Sequence, residues 1–77
     1  MQLYNEPVAV TGHSPSGAPT ALTWRGNQFH VRSVREIWQM PGEARLYRVN
    51  VAMEGGRQGI AEIAGGESGW RLRHLWL

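Results

Sequence analysis

The residues with the clearest chemical potential in this sequence are its arginines. All eight basic residues are arginine, and all six acidic residues are glutamate. An arginine guanidinium binds phosphate through a planar pair of N–H donors, and it also stacks on aromatic rings and nucleobases. Because the net charge is only +2, the placement of the arginines matters more than their number. A bias in genome composition explains the exclusive use of arginine at least as well as a binding function does.

Patterns typical of catalysis or metal binding are weak. The chain has no cysteine, which excludes disulfides and thiolate metal sites. His13, His30 and His74 are widely spaced and have no partner at the spacing of metal ligands. The segment 54–59 is rich in glycine, but it lacks the Lys-Ser/Thr ending of a phosphate-binding loop. We therefore predict that the protein is not an enzyme and uses no cofactor.

The segment 22–32, Leu-Thr-Trp-Arg-Gly-Asn-Gln-Phe-His-Val-Arg, reads as a β-hairpin. Gly26 and Asn27 both tolerate a positive φ, so we place a two-residue turn there. This turn sets Trp24 opposite Phe29 and Leu22 opposite Val31, with all four on one side of the ribbon because side chains alternate along a strand. Thr23, Arg25, His30 and Arg32 fall on the other side.

The rest of the chain continues this pattern of short strands and glycine-rich turns. Strands are predicted at 3–10, 20–25, 28–39, 45–53, 58–64 and 70–76, with a mobile loop at 11–19 and turns at 40–43, 54–57 and 65–69. Pro7 cannot donate a ladder hydrogen bond, so the first strand is expected at an edge or with a break. Such spacing predicts an all-β domain: a small, strongly curved antiparallel meander of about six strands, SH3-like or barrel-like.

Residues 1–77 form a single domain in this interpretation. The first residues resemble no signal peptide, and no run approaches the ~20 apolar residues of a membrane helix. We therefore predict a cytoplasmic protein without a membrane partner.

The third strand alternates irregularly, whereas the last strand keeps one phase. In the third strand Phe29 and Val31 share one phase whereas Val34 and Trp38 share the other, and a β-bulge near Ser33 would restore inward pointing of the later pair. In the last strand Trp70, Leu72 and Trp76 are in phase. His74 continues this inward phase, which favours a partly buried structural histidine.

Keeping the apolar side of each strand inward sets Val49 opposite Ile63, and Ile63 opposite Trp70. The outer face then collects Arg48, Asn50, Glu62, Arg71 and Arg73, with Glu62 beside Arg71. Candidate nucleic-acid contacts are Arg25, His30, Arg32, Arg48, Arg71 and Arg73. The alternative is that the outer face of any small barrel must be polar and that this chain uses arginine for it.

The aromatic residues divide into two groups. Trp24, Phe29, Tyr47 and Trp70 keep the inward phase and are predicted core residues. Trp38 and Trp76 are the candidates for exposure, where a tryptophan near arginine suits either base stacking or a protein interface. The second hypothesis is therefore a protein-interaction or self-association module that uses Trp38, Trp76 or an open sheet edge, in a monomer or a homodimer.

The motifs in 19–31, Trp38, Leu46-Tyr-Arg-Val, Gly59-Ile-Ala-Glu-Ile and Gly69-Trp-Arg-Leu together resemble a family of small bacterial β domains. Members occur alone or at the C-terminal end of ImuB-like proteins, the inactive Y-family polymerase homologues of the bacterial mutasome. The resemblance implies a non-catalytic accessory domain linked to DNA repair and translesion synthesis, with DNA or a repair protein as partner. It assigns no binding residues, because Trp24-Arg25-Gly26 is a hairpin signature.

Overall fold

The computed structural model of the protein describes residues 2–39, 41, 44–66 and 69–77. The described part of the chain is all-β and contains six strands. They are β1 (Gln2–His13), β2 (Pro19–Trp24), β3 (Asn27–Gln39), β4 (Arg45–Met53), β5 (Gln58–Gly66) and β6 (Gly69–Trp76).

The six strands form one antiparallel sheet that closes on itself in sequence order, from β1 to β6 and back to β1. The first strand makes the closure because it bends and changes neighbours. Its residues up to Val8 pair with β6, and its residues from Ala9 onward pair with β2. The break predicted at Pro7 corresponds to this change, since the missing N–H falls just before the pairing with β2 begins. The prediction of a small barrel-like meander is confirmed.

The core lies inside the barrel and follows the alternation of the strands. Its buried members come from all strands: Val8, Leu22, Trp24, Phe29, Tyr47, Val49, Val51, Ala61, Ile63, Leu72 and Leu75. Trp70 is partly buried at the margin, with its ring centroid 5.6 Å from that of Tyr47. A chain of this length buries only about 60% of its unfolded surface, so each of these contacts matters for stability.

The hairpin between β2 and β3 forms, but its turn is one residue earlier than predicted. Arg25 and Gly26 occupy the two central positions with φ of 50° and 76°, and Trp24 pairs with Asn27. Leu22 therefore lies opposite Phe29 and not opposite Val31. The predicted inner face survives because a register shift of two residues returns every side chain to the same side of the sheet.

The pairing of β4 with β5 and of β5 with β6 also differs from the predicted register by two residues. Val49 lies opposite Ala61, and Ile63 lies opposite Leu72. Glu62 pairs with His74 and the next residue, Ile63, pairs with Leu72. Arg73 is therefore an extra residue in β6 and forms a β-bulge. Leu72 and Leu75 are consequently buried, and His74 and Trp76 belong to the outer face. The predicted inward phase of His74 was wrong for this reason, although the residue is half-buried as expected. Trp76, predicted in phase with Leu72 but also a candidate for exposure, is half-buried on the outer face.

The long hairpin of β3 and β4 carries two bulges, at Arg32 and Arg35. The first confirms the irregularity predicted near Ser33. It does not bury the second half of β3, however, since Val34, Ile37 and Trp38 remain exposed. Pairing with β2 covers β3 only as far as His30, so the later residues have β4 alone as a sheet neighbour.

The connection between β1 and β2 is shorter than predicted. Strand β1 continues to His13, and the loop consists of residues 14–18. Two backbone hydrogen bonds close it, from the Ser14 and Gly17 amides to the carbonyl oxygens of Ala18 and Ser14. The turn at 54–57 is present, whereas the turns predicted at 40–43 and 65–69 fall partly outside the described residues.

Candidate functional site

The predicted arginine surface does not form one continuous face. Arg25 lies at the β2–β3 turn and binds Glu6 of β1, whereas Arg48 lies on β4. Two strands separate β1 from β4 in either direction around the barrel. These two arginines therefore belong to different sides of the molecule.

Arg25 is held in a local cluster with acidic and aromatic partners. Its Nε donates to Glu6 Oε1 at 3.0 Å and its Nη2 donates to Glu6 Oε2 at 2.5 Å. The guanidinium carbon lies 4.5 Å from the Trp24 ring centroid and 5.2 Å from that of Tyr4. With one carboxylate bound through two hydrogen bonds, Arg25 contributes little net charge to a phosphate ligand.

The same pair predicts a pH effect. Hydrogen bonding from Arg25 lowers the pKa of Glu6 below its usual value of 4.5. A lowered pKa in the folded state means that the pair stabilises the fold above the unfolded pKa, and that this contribution is lost as the pH falls through the folded pKa. We expect wild type to be more stable than Glu6→Gln at neutral pH, with the difference closing below about pH 4.5. Urea unfolding across this range measures it.

Glu54→Gln is the control, because Glu54 lies in an exposed turn. A difference between wild type and Glu6→Gln that persists unchanged in strong acid would contradict the prediction.

A second cluster lies on the outer face of β3 to β6 and is centred on Arg48. Its Nε donates to Glu62 Oε2 at 2.7 Å, and its Nη1 donates to Glu36 Oε1 at 3.2 Å. The guanidinium carbon lies 5.2 Å from the Trp38 ring centroid and 5.7 Å from that of Trp76. We call Glu36, Trp38, Arg48, Glu62 and Trp76 the Arg48 cluster.

The carboxylate of Glu62 anchors this cluster, because its side chain is only 8% exposed. Its second oxygen lies 2.8 Å from His74 Nδ1, although this contact lacks hydrogen-bond geometry. It becomes an ion pair when the imidazole is protonated. Glu62 thus binds Arg48 of β4 and contacts His74 of β6, and not Arg71 as predicted.

An open groove of about 320 Å³ lies beside the Arg48 cluster and is lined by Arg35, Arg48, Ile60 and Trp76. This volume is at the lower end of the range of about 300–1,000 Å³ found for ligand sites. Trp76 offers an aromatic surface there, and its ring is stacked on that of His74 with centroids 5.7 Å apart. Arg35 donates to Asn50 Oδ1 at 3.4 Å and has no carboxylate within ion-pair distance among the described residues.

The remaining predicted contacts lie around these two clusters. On β6, Arg71 donates to the side-chain and backbone oxygens of Asn5, and half-buried Arg73 has its Nε enclosed without a partner in the described part of the chain. His30 and Arg32 are exposed or nearly so on β3. The structure therefore brings Arg48, Trp38 and Trp76 together and leaves the other predicted residues dispersed.

Arg35 and Ile60 line the groove but were not among the predicted site residues. Arg35 is the bulged residue between Val34 and Glu36, and no side of β3 was predicted for it. No side of β5 was predicted for Ile60, which pairs with outward-facing Trp76. The signal for Arg35 was the odd spacing of the apolar residues Val34 and Ile37, which can share one side of β3 only if the segment between them carries an extra residue.

Other classes of site find little support in this geometry. Residues 2–39, 41, 44–66 and 69–77 contain no group of three or more His, Asp or Glu side chains suited to a metal ion. The same residues include no helix long and apolar enough to cross a membrane. Comparison of the chain with protein-family models, with curated proteins and with solved structures finds no match in any of the three. The architecture defines the class, a small closed antiparallel β-barrel.

Proposed function

We propose that the protein is a non-catalytic binding module that holds single-stranded nucleic acid on the outer face of β3 to β6. The observation that carries the proposal is the groove that Trp76 and Arg35 both line. A nucleobase stacks on an aromatic ring whatever its sequence, and an arginine without a carboxylate partner binds the adjoining phosphate. The resemblance to the ImuB-associated domains connects this module with translesion DNA synthesis and repair in the bacterial cytoplasm.

The arginines have two different roles in this proposal. Arg48 is neutralised by Glu62 and Glu36 and is fixed between two tryptophans, so it shapes the groove. Phosphate binding in the groove falls to Arg35, which has no ion pair in the described residues. Arg32 on β3 and Arg71 and Arg73 on β6 lie outside the groove and would contact only a longer strand. With so few free cations the affinity is weak, salt-sensitive and largely independent of sequence.

The test is a titration of fluorescently labelled single- and double-stranded DNA with the protein at several salt concentrations. For Arg35→Gln we expect weaker binding of single strands and a salt slope of log K reduced by about one unit, as for the loss of one phosphate contact. Trp76→Leu removes a stacking surface worth about 1–3 kcal/mol per base, so binding should fall roughly fivefold to a hundredfold.

Arg45→Gln is the matched control. Arg45 is exposed, and its Nε donates a hydrogen bond to Gln39. It shares the side of β4 with Tyr47 and therefore faces away from Arg48. The control should bind as wild type does. Absence of binding at low salt, or an equal loss in Arg35→Gln and Arg45→Gln, would contradict the proposed site.

A further inference from the structure

The second half of β3 is an open sheet edge. Its last described pair with β2 is Ala21 with His30, whereas pairing with β4 continues to Gln39. Among the strands, β3 has contacts with β2 and β4 alone. Residues 33–39 therefore present one row of backbone hydrogen-bonding groups that no described strand satisfies, the arrangement to which another strand adds.

The side chains of this edge are unusually apolar for an exposed strand. Val34, Ile37 and Trp38 are 38%, 54% and 37% exposed. Natural edge strands are normally protected by lysine, proline or inward-pointing charge. Here the only charged residues between Ser33 and Gln39 are Arg35 and Glu36, which are adjacent and opposite in sign.

That pair makes the edge complementary to itself. In an antiparallel pairing of two copies about a two-fold axis between residues 35 and 36, each Arg35 lies opposite the Glu36 of the other copy. The same register sets Val34 opposite Ile37. Opposite charges and apolar pairs across a ladder each stabilise it by about 0.2–1 kcal/mol.

The faces also agree in this register. Val34 and Ile37 pair with the core residues Val49 and Tyr47 and so share the inner side of β3. Glu36 pairs with outward-facing Arg48, and Arg35 reaches Asn50 on the same outer side. The bulge at Arg35 therefore sets the two charged residues on one face and the two apolar residues on the other, as a symmetric pairing requires.

We propose that a second copy of this chain pairs with residues 33–39 of β3 in this antiparallel register and forms a two-fold symmetric dimer. The partner is another copy of the chain because this segment is complementary to itself when it runs in the opposite direction: Arg35 then meets Glu36, and Val34 meets Ile37. In this dimer Arg35 faces the Glu36 of the other copy, so pairing of two copies and phosphate binding by Arg35 compete with each other. Dimer formation is therefore measured on the protein without nucleic acid.

The test is sedimentation of wild type and charge variants over a concentration series. Arg35→Glu sets glutamate opposite glutamate at both central pairs, and Glu36→Arg sets arginine opposite arginine. Each variant alone should dimerise roughly tenfold or more weakly than wild type. An equimolar mixture of the two should recover dimerisation as a heterodimer, since each glutamate then faces an arginine of the other variant.

Ile37→Lys, which leaves both charges in place, should also weaken the dimer. Thermal unfolding of each variant shows that the barrel is intact, and the mixture experiment tests the register even where a single variant is less stable. A wild type that stays monomeric at all concentrations, or a dimer that neither charge variant weakens, overturns the proposal.

Discussion

Removal of the Glu62 carboxylate should be among the most destabilising single changes on the outer face of this barrel. We expect Glu62→Ala to lower the free energy of unfolding by about 2–4 kcal/mol, somewhat less than the 3–5 kcal/mol typical of breaking a fully buried ion pair. The reason is that Arg48, whose side chain is only 34% exposed, loses its buried carboxylate partner and keeps only the exposed Glu36 at 3.2 Å. For a domain of this size the melting temperature should fall by about 4–8 °C per kcal/mol.

Two comparisons separate the ion pair from other effects of this substitution. Glu62→Gln preserves shape and one acceptor and should cost less than Glu62→Ala. The double variant Glu62→Leu with Arg48→Met removes both charges and should recover part of the loss, because an apolar pair avoids the desolvation of an unpaired charge. Glu54→Ala in an exposed turn is the control, and an equal loss in Glu62→Ala and Glu54→Ala would contradict the role of Glu62.

The second large effect is expected at Gly65. This residue pairs with Trp70 across β5 and β6, and a Cβ at Gly65 would overlap the Trp70 ring. The ring itself packs beside Tyr47, at a centroid distance of 5.6 Å, so it cannot move away without disturbing the core. Gly65→Ala should therefore destabilise the fold by about 1–3 kcal/mol through overpacking. Chemical denaturation with near-ultraviolet circular dichroism measures both the loss and the displaced ring.

A double-mutant cycle with Trp70→Leu tests the cause. The smaller side chain leaves room for the Cβ, so Gly65→Ala should cost clearly less in the Trp70→Leu background than in wild type. Equal costs in both backgrounds would show that the ring is not the obstacle.

The fold was largely predictable because strand alternation and turn residues report on which side of a sheet each residue lies. The inner set of Leu22, Trp24, Phe29 and Val49 follows from alternation alone, and it survived register errors of two residues because these preserve the face. The predicted pairing of residues between neighbouring strands was wrong by two positions. The turn was predicted one residue too late because an arginine with a positive φ is rare. Here Arg25 adopts a φ of 50°, and its side chain forms the ion pair with Glu6 and packs on Trp24.

Three residues of the candidate site could be predicted from the sequence, but their contacts with one another could not. Arg48, Trp38 and Trp76 were each singled out, yet their convergence depends on bulges at Arg35 and Arg73 that reverse the phase of two strands. A bulge leaves only a break of alternation in the sequence, and the break does not say which residue is extra. The neutralisation of Arg48 was also unforeseen, because it depends on the register that sets Glu62 beside it.

The bend of β1 has a consequence for how the barrel assembles. The pairing of β1 with β6 joins the most distant parts of the sequence in this sheet, and within it Arg71 binds Asn5, 66 positions away. Every other neighbouring pair of strands is joined by a short connection. Pairings of such separation carry the largest loop-closure cost and form late. During synthesis, the five preceding strands can form a curved open sheet whose first strand lacks its second neighbour until β6 has left the ribosome.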